Sequence, residues 1–299
     1  MYYWFKNKIK NLLSLNPTKA NYKFVLKDWV SLKDLNALSI ALESKRFSLN
    51  LKPVTMYRPD AARVLIFAPH PDDDVFSSGG TMMHLIRDGC KINVIYFASG
   101  SKKTYKNDKL QILDKIAEKL EEETREVSSQ IGTNIEFWRF SNRKIVLNEE
   151  VLNRVRELHS RIKPEVVFLP FISDDNDDHR RVVQLFYEAF KDFKKLDFEV
   201  WAYQVYSTLI PNVVVDISDV IAEKIRLINI WDSVKLQRDW GHYMKGMNAF
   251  NSRFLKTNEP RYAECFFVLP AKEYIELSKV YFSHPIKDIY YCDSYRYMK

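Results

Sequence analysis

The sequence predicts an α/β fold: a Rossmann-like, mostly parallel sheet with helices on both faces. Two observations carry this. Short apolar runs of strand period alternate along the chain with longer runs of helical period, the pattern of successive βαβ units with right-handed crossovers. The composition, 46% hydrophobic and 28% charged with 17 Tyr, 19 Phe and 6 Trp, is that of a globular protein with large side chains to fill a wide sheet. No internal repeat or low-complexity stretch competes with that reading.

Taken in order, Arg63–Ala68 reads as the first sheet strand and Gly79–Asp88 as a helix that begins at the loop after it. A strand at Lys91–Phe97 precedes a long helix, Lys109–Ile131, closed by Gly132 as a C-terminal cap. Strand Ile135–Phe140, helix Glu149–Ile162, strand Glu165–Leu169 and helix Asp178–Phe193 continue the alternation, followed by strands Glu199–Tyr206 and Val213–Ile217. The last third reads as helix Val220–Trp231, a mixed helical stretch, and Tyr262–Leu269, an apolar segment suited to a late edge strand. Residues 1–55 fall outside the alternation and form an N-terminal extension, joined near Leu51-Lys52-Pro53 to a domain of residues 56–299.

The formal charge of +7 is not gathered into basic and aromatic motifs, so nucleic acid is not an expected partner. No GxGxxG follows the first strand, which disfavours a dinucleotide site. Cys90, Cys265 and Cys292 are far apart and odd in number, indicating neither a disulfide framework nor a thiolate metal site. Residues 1–13 place their apolar stretch before the lysines and lack a small-residue cleavage site, unlike a secretory signal, so a cytoplasmic location is expected. That basic, aromatic segment also suits contact with a membrane surface, against the alternative of a packed terminal arm.

Two acidic clusters each follow a predicted strand. The first is His70-Pro71-Asp72-Asp73-Asp74, with proline on either side of His70 restricting the loop. The second runs from Ser173 through Asp174, Asp175, Asn176, Asp177 and Asp178 to His179 and Arg180. Loops at the carboxyl ends of parallel strands meet over one edge of a sheet, so His70, Asp73 and His179 can form a three-ligand site with a position left for water. Adjacent carboxylates in a tight loop rarely bind one ion from one side, which leaves Asp72 for proton transfer. Asp178, beside His179, is placed to orient an imidazole.

His70-Pro71-Asp72-Asp73 resembles the first signature of the LmbE-like, or PIG-L, family of zinc-dependent N-acetylglucosaminyl de-N-acetylases, and Asp178-His179-Arg180 resembles its second metal motif. Ser78-Gly79-Gly80-Thr81, Glu123 with Arg125, and Tyr262 to Phe266 extend the likeness over roughly residues 60–270. The resemblance implies one zinc ion on His70, Asp73 and His179, with Asp72 as general base. It also implies an acetylated amino sugar as substrate, free or linked to a phosphate, a lipid or a polymer. Asp74 stands where the family usually has Glu, and Asn176 where many members carry a His; Asn176 can donate a hydrogen bond to an oxyanion but supplies no proton. His242 and His284 are candidate substitutes, and Arg180 and Arg125 candidates for holding substrate. The ligand set also accommodates iron. Another metal-dependent amide or conjugate hydrolase, and a non-catalytic metal- or glycan-binding protein, are the alternatives.

Overall fold

The computed structural model describes residues 53–98, 108–174, 176–206, 209–235 and 238–283, without the side chains of 108–114 and 234–235. The extension expected at residues 1–55 lies outside these except at its end, where Val54–Met56 forms strand β1.

The chain then runs β2 (Arg63–Ala68), α1 (Asp73–Arg87), β3 (Lys91–Ala98), α2 (Asp108–Ile131), β4 (Asn134–Phe140), α3 (Glu149–Ile162), β5 (Val166–Pro170), α4 (Asp177–Phe190), β6 (Glu199–Tyr203) and β7 (Val213–Asp216). Three helices, α5 (Ile221–Ile228), α6 (Asp232–Lys235) and α7 (Trp240–Asn251), lead to β8 (Ala263–Pro270) and α8 (Ala271–Phe282). The eight strands form one sheet in the order β1-β7-β8-β6-β5-β2-β3-β4. All pairings are parallel except those of β8, which is antiparallel to both β6 and β7.

Side chains alternate across β2 with period two: Leu65 and Phe67 join the core under α3, α4 and α8, while Val64, Ile66 and Ala68 join the core under α1, α2, α5 and α7. Strands β2 and β5 are therefore buried on both faces, as parallel strands covered by crossovers must be.

Two expectations are corrected. The Tyr262–Leu269 segment is not an edge strand: β8 is covered on both sides and pinned by Asn212, whose side chain donates to Val268 O and accepts from Val268 N, each at 2.7 Å. Its apolar run Cys265–Leu269, without alternation, is the mark of a central strand. The first helix starts at Asp73, six residues before Gly79, because Asp73 and Asp74 complement its positive N-terminus and Ser77 and Ser78 return their hydroxyls to Asp73 O and Asp74 O instead of breaking it.

The two glycines inside α1 admit a close neighbour. Glu264 of β8 accepts from Gly80 N, Thr81 N and Thr81 Oγ1 at 2.8, 2.8 and 2.6 Å, while Lys224 of α5 donates to Glu264 Oε1, to Phe76 O and to Asn248 Oδ1. This fully buried ion pair locks α1, with Asp73 and Asp74 in its first turn, to the sheet. Gly132 ends α2 with φ +94°, and its N–H and that of Thr133 both donate to Ser128 O, as a C-terminal cap requires.

Candidate active site

Strands β2 and β5 pair directly, and the chain leaves them toward β3 on one side and β6 on the other. The crevice above their carboxyl ends is where a sheet of this kind binds ligands. Both acidic clusters open into it.

His70, Asp73 and His179 each present a ligand atom, all within 4.8 Å of one another. His70 Nδ1 lies 3.0 Å and His179 Nε2 3.1 Å from the same oxygen, Asp73 Oδ2. Each imidazole has a second carboxylate at its far nitrogen: Asp178 Oδ2 is 3.0 Å from His70 Nε2, and Asp174 Oδ1 is 3.2 Å from His179 Nδ1. The near nitrogens thus face inward together, and the far ones are held from behind.

The donor set fits a divalent cation. Asp73 Oδ1 and both ring nitrogens of His179 are buried without an aligned hydrogen bond. Five carboxylates, Asp72, Asp73, Asp74, Asp174 and Asp178, are buried around two imidazoles, an excess of negative charge that a bound dication offsets. Two imidazoles and a carboxylate are nitrogen and oxygen donors of the kind zinc takes in open, three-ligand sites. Without the ion, burial alone would lower the His179 pKa, but Asp73 and Asp174 raise it to about 9. Burial opposes ionisation of Asp73 too, yet the two imidazoles hold its carboxyl well below the usual range.

Asp72 is placed differently from its neighbour. Its backbone caps α1 while its carboxylate makes no cap hydrogen bond, and the residue lines a cavity of about 240 Å³ together with His70 and Asn176. Burial, and then the adjacent Asp73, push its pKa up to about 8. Asp74 points away from this cavity: it accepts from the Tyr96 hydroxyl at 2.9 Å, and burial raises it to about 7.

Residues 65–190 match the PIG-L family model, described as GlcNAc-PI de-N-acetylase, and that span contains every residue of the triad. Over that stretch the chain is similar to the PIG-L family. It is 25% identical over 226 residues, covering 71% of this chain and 84% of the relative, to the diacetylchitobiose deacetylase of Thermococcus kodakarensis. The N,N'-diacetylchitobiose deacetylase of Pyrococcus horikoshii, solved with an inhibitor, superposes with a TM-score of 0.60 at 20% identity, covering 93% of this chain and 99% of that one. The 4-carboxy-2-hydroxymuconate hydratase of Pseudomonas putida KT2440 shares the fold with a TM-score of 0.56 at 18% identity over 72% of this chain and 96% of its own.

Asn176 caps α4, accepting from Asp178 N at 2.9 Å through Oδ1, which leaves its amide nitrogen as the donor available to the cavity it lines. Asp178 holds the imidazole of His70, 108 residues away, not that of its neighbour His179. Arg180 is turned inward to Asp174 O and the Asp177 carboxylate, stapling its own loop. Arg125 is exposed on α2, pairs with Glu121 and covers Phe137, away from the residues lining the cavity. His242 is exposed beside Tyr243 and does not line the cavity, and His284 lies outside the described residues.

The aromatic wall of the cavity was not foreseen. Tyr206, just past β6, stands 5.2 Å ring to ring from His179 and 5.8 Å from Trp240, which rests on the buried Phe76 at 5.3 Å. Tyr206 could have been found from its place at the carboxyl end of a strand next to β5. Asp174, five positions before His179 in the quoted cluster, was available to the same reasoning; no local pattern marks Trp240.

Proposed function

We propose that this protein is a PIG-L-like, zinc-dependent hydrolase that removes the N-acetyl group from an N-acetylglucosamine-type amino sugar in a glycan, glycolipid or sugar conjugate. The observation that carries the reading is the inward-facing His70, Asp73 and His179 set beside a cavity-lining carboxylate, Asp72, that is not one of the three. The activities named for the two archaeal relatives support the choice of substrate. The hydratase neighbour is a reminder that the fold alone does not select a reaction.

An ion held by the triad would supply Lewis-acid polarisation of the acetyl carbonyl and acidify water. Asp72 takes the proton of the attacking water and returns it to the departing amine. Asn176 Nδ2 donates to the developing oxyanion, stabilising charge without supplying a proton. Tyr206 and Trp240 offer apolar ring surface to the carbon-bound face of a sugar and shield the reacting bond from water. Asp178 and Asp174 keep the two imidazoles aimed.

No helix among the described residues is long and apolar enough to cross a membrane. We place the protein in the cytoplasm, with any membrane contact made by its N-terminal segment, a role that liposome sedimentation before and after truncation of residues 1–52 would reveal.

Acetate release from N-acetylglucosamine and diacetylchitobiose, measured with added zinc and with chelator, tests the central reading. Metal-dependent release is expected, and Asp72→Asn should keep the metal while losing about 10²–10⁴-fold in rate. A zinc-loaded protein that releases acetate only from non-sugar amides would move the substrate class, and one whose turnover survives Asp72→Asn would remove the proposed base.

A further inference from the structure

Between β4 and α3, Ser141 to Lys144 form a β-turn closed by a hydrogen bond from Lys144 N to Ser141 O at 2.9 Å. Its third residue, Arg143, has φ +60°, whereas Asn142 before it is not among the described residues of positive φ. That combination is the signature of a type II turn, whose third position favours glycine. An arginine held there costs conformational energy, and such positions persist where the surroundings over-determine them.

What over-determines this one is visible. Arg143 N donates to both oxygens of Asp178, at 3.0 and 2.9 Å, and Asp178 Oδ2 is the atom 3.0 Å from His70 Nε2. Asp178 is buried and sits in the first turn of α4. A carboxylate that holds His70 Nε2–H leaves Nδ1, the nitrogen facing Asp73 and His179, as the unprotonated donor.

We propose that the Ser141 to Lys144 turn is a positioning device for the metal ligand His70, acting through the left-handed backbone of Arg143, whose N–H clamps the Asp178 carboxylate. The inference rests on the reading that His70 binds a metal ion. A third segment of chain, distant from both acidic clusters, thereby sets the tautomer and aim of one ligand. The device needs the backbone of Arg143 and not its side chain.

The test is zinc affinity of the full-length protein, read by competition with a chromophoric chelator. Arg143→Gly, which keeps the N–H and relaxes the conformation, should bind zinc within about twofold of the unchanged protein, whereas Arg143→Pro, which removes the N–H and forbids positive φ, should bind about 10–100-fold more weakly. In an Asp178→Asn background, itself weakened, Arg143→Pro should cost less than about twofold further, because the two act in series. If Arg143→Pro does not fold by circular dichroism, Arg143→Val takes its place: a β-branched residue at this φ pulls the N–H away and should weaken zinc binding about tenfold.

A folded Arg143→Pro or Arg143→Val protein with unchanged zinc affinity overturns the proposal. So does the same fold loss in both backgrounds. Failure of the underlying reading has a separate mark: His70→Ala would then bind zinc as well as the unchanged protein does.

Discussion

Replacing Gly80 by alanine tests how tightly α1, and with it Asp73, is seated on the sheet. A Cβ at Gly80 would lie 2.5 Å from Ile217 Cγ2 and 2.7 Å from Ile217 Cβ, where carbon atoms ordinarily meet at about 3.5–4.0 Å. Ile217 is fully buried just after β7, and its Cβ moves only with the backbone, so no rotamer change relieves the contact. Either α1 or the segment after β7 must retreat by about 1 Å. Overpacking of this kind costs about 1–3 kcal/mol, here toward the upper end, and the better helix propensity of alanine returns about 1 kcal/mol. A net loss of about 1–2 kcal/mol remains. Two other glycines serve as controls. At Gly79 the nearest atom is Val75 Cγ1 at 2.9 Å, a single methyl and not a Cβ fixed to the backbone, so a shift of a few tenths of an ångström relieves it and the change should cost less than at Gly80. At Gly246, inside α7, nothing lies within 4 Å, and alanine should add about 0.5–1 kcal/mol. Urea unfolding should therefore rank Gly246→Ala above the unchanged protein and Gly80→Ala lowest, with zinc affinity reduced in Gly80→Ala alone. A Gly80→Ala midpoint equal to or above that of Gly79→Ala would refute the close seating of α1 against Ile217.

Asp174→Asn should weaken zinc binding about 10–100-fold, because the group behind His179 Nδ1 loses its charge; chelator competition would show it, and unchanged affinity would mean that His179 needs no such support. Lys224→Met leaves Glu264 buried without its cation and takes one donor from Phe76 O, and should cost about 3–5 kcal/mol in urea unfolding. Trp240→Ala should raise KM for a disaccharide about 5–30-fold with little change in kcat, since about 1–2 kcal/mol of ring contact is made equally in ground and transition states; a fall in kcat alone would argue against a binding wall.

Much of the fold is legible because strand and helix periods are local properties. Strand Arg63–Ala68 and helix Glu149–Ile162 occupy the residues their patterns predict. The start of α1 was misread because Ser77-Ser78-Gly79-Gly80 looks like a turn when taken alone. Those residues remain helical because serine hydroxyls return to the backbone and Glu264, from 184 positions away, accepts from Gly80 N. The place of β8 was misjudged for a related reason: an apolar run does not say which strands will flank it.

The residue types of the site, imidazoles and carboxylates just past two strands, are written in the chain, since ligand chemistry belongs to side chains and the ends of parallel strands are where a sheet offers them. Tertiary structure alone decided which carboxylate stands behind which imidazole, that Arg180 turns inward and Arg125 away, and that Tyr206 and Trp240 line the cavity beside His70 and Asp72. Those placements depend on the order β6-β5-β2-β3, which brings the two acidic clusters together. Strand order reflects the packing of the whole chain, and no stretch of it carries that information by itself.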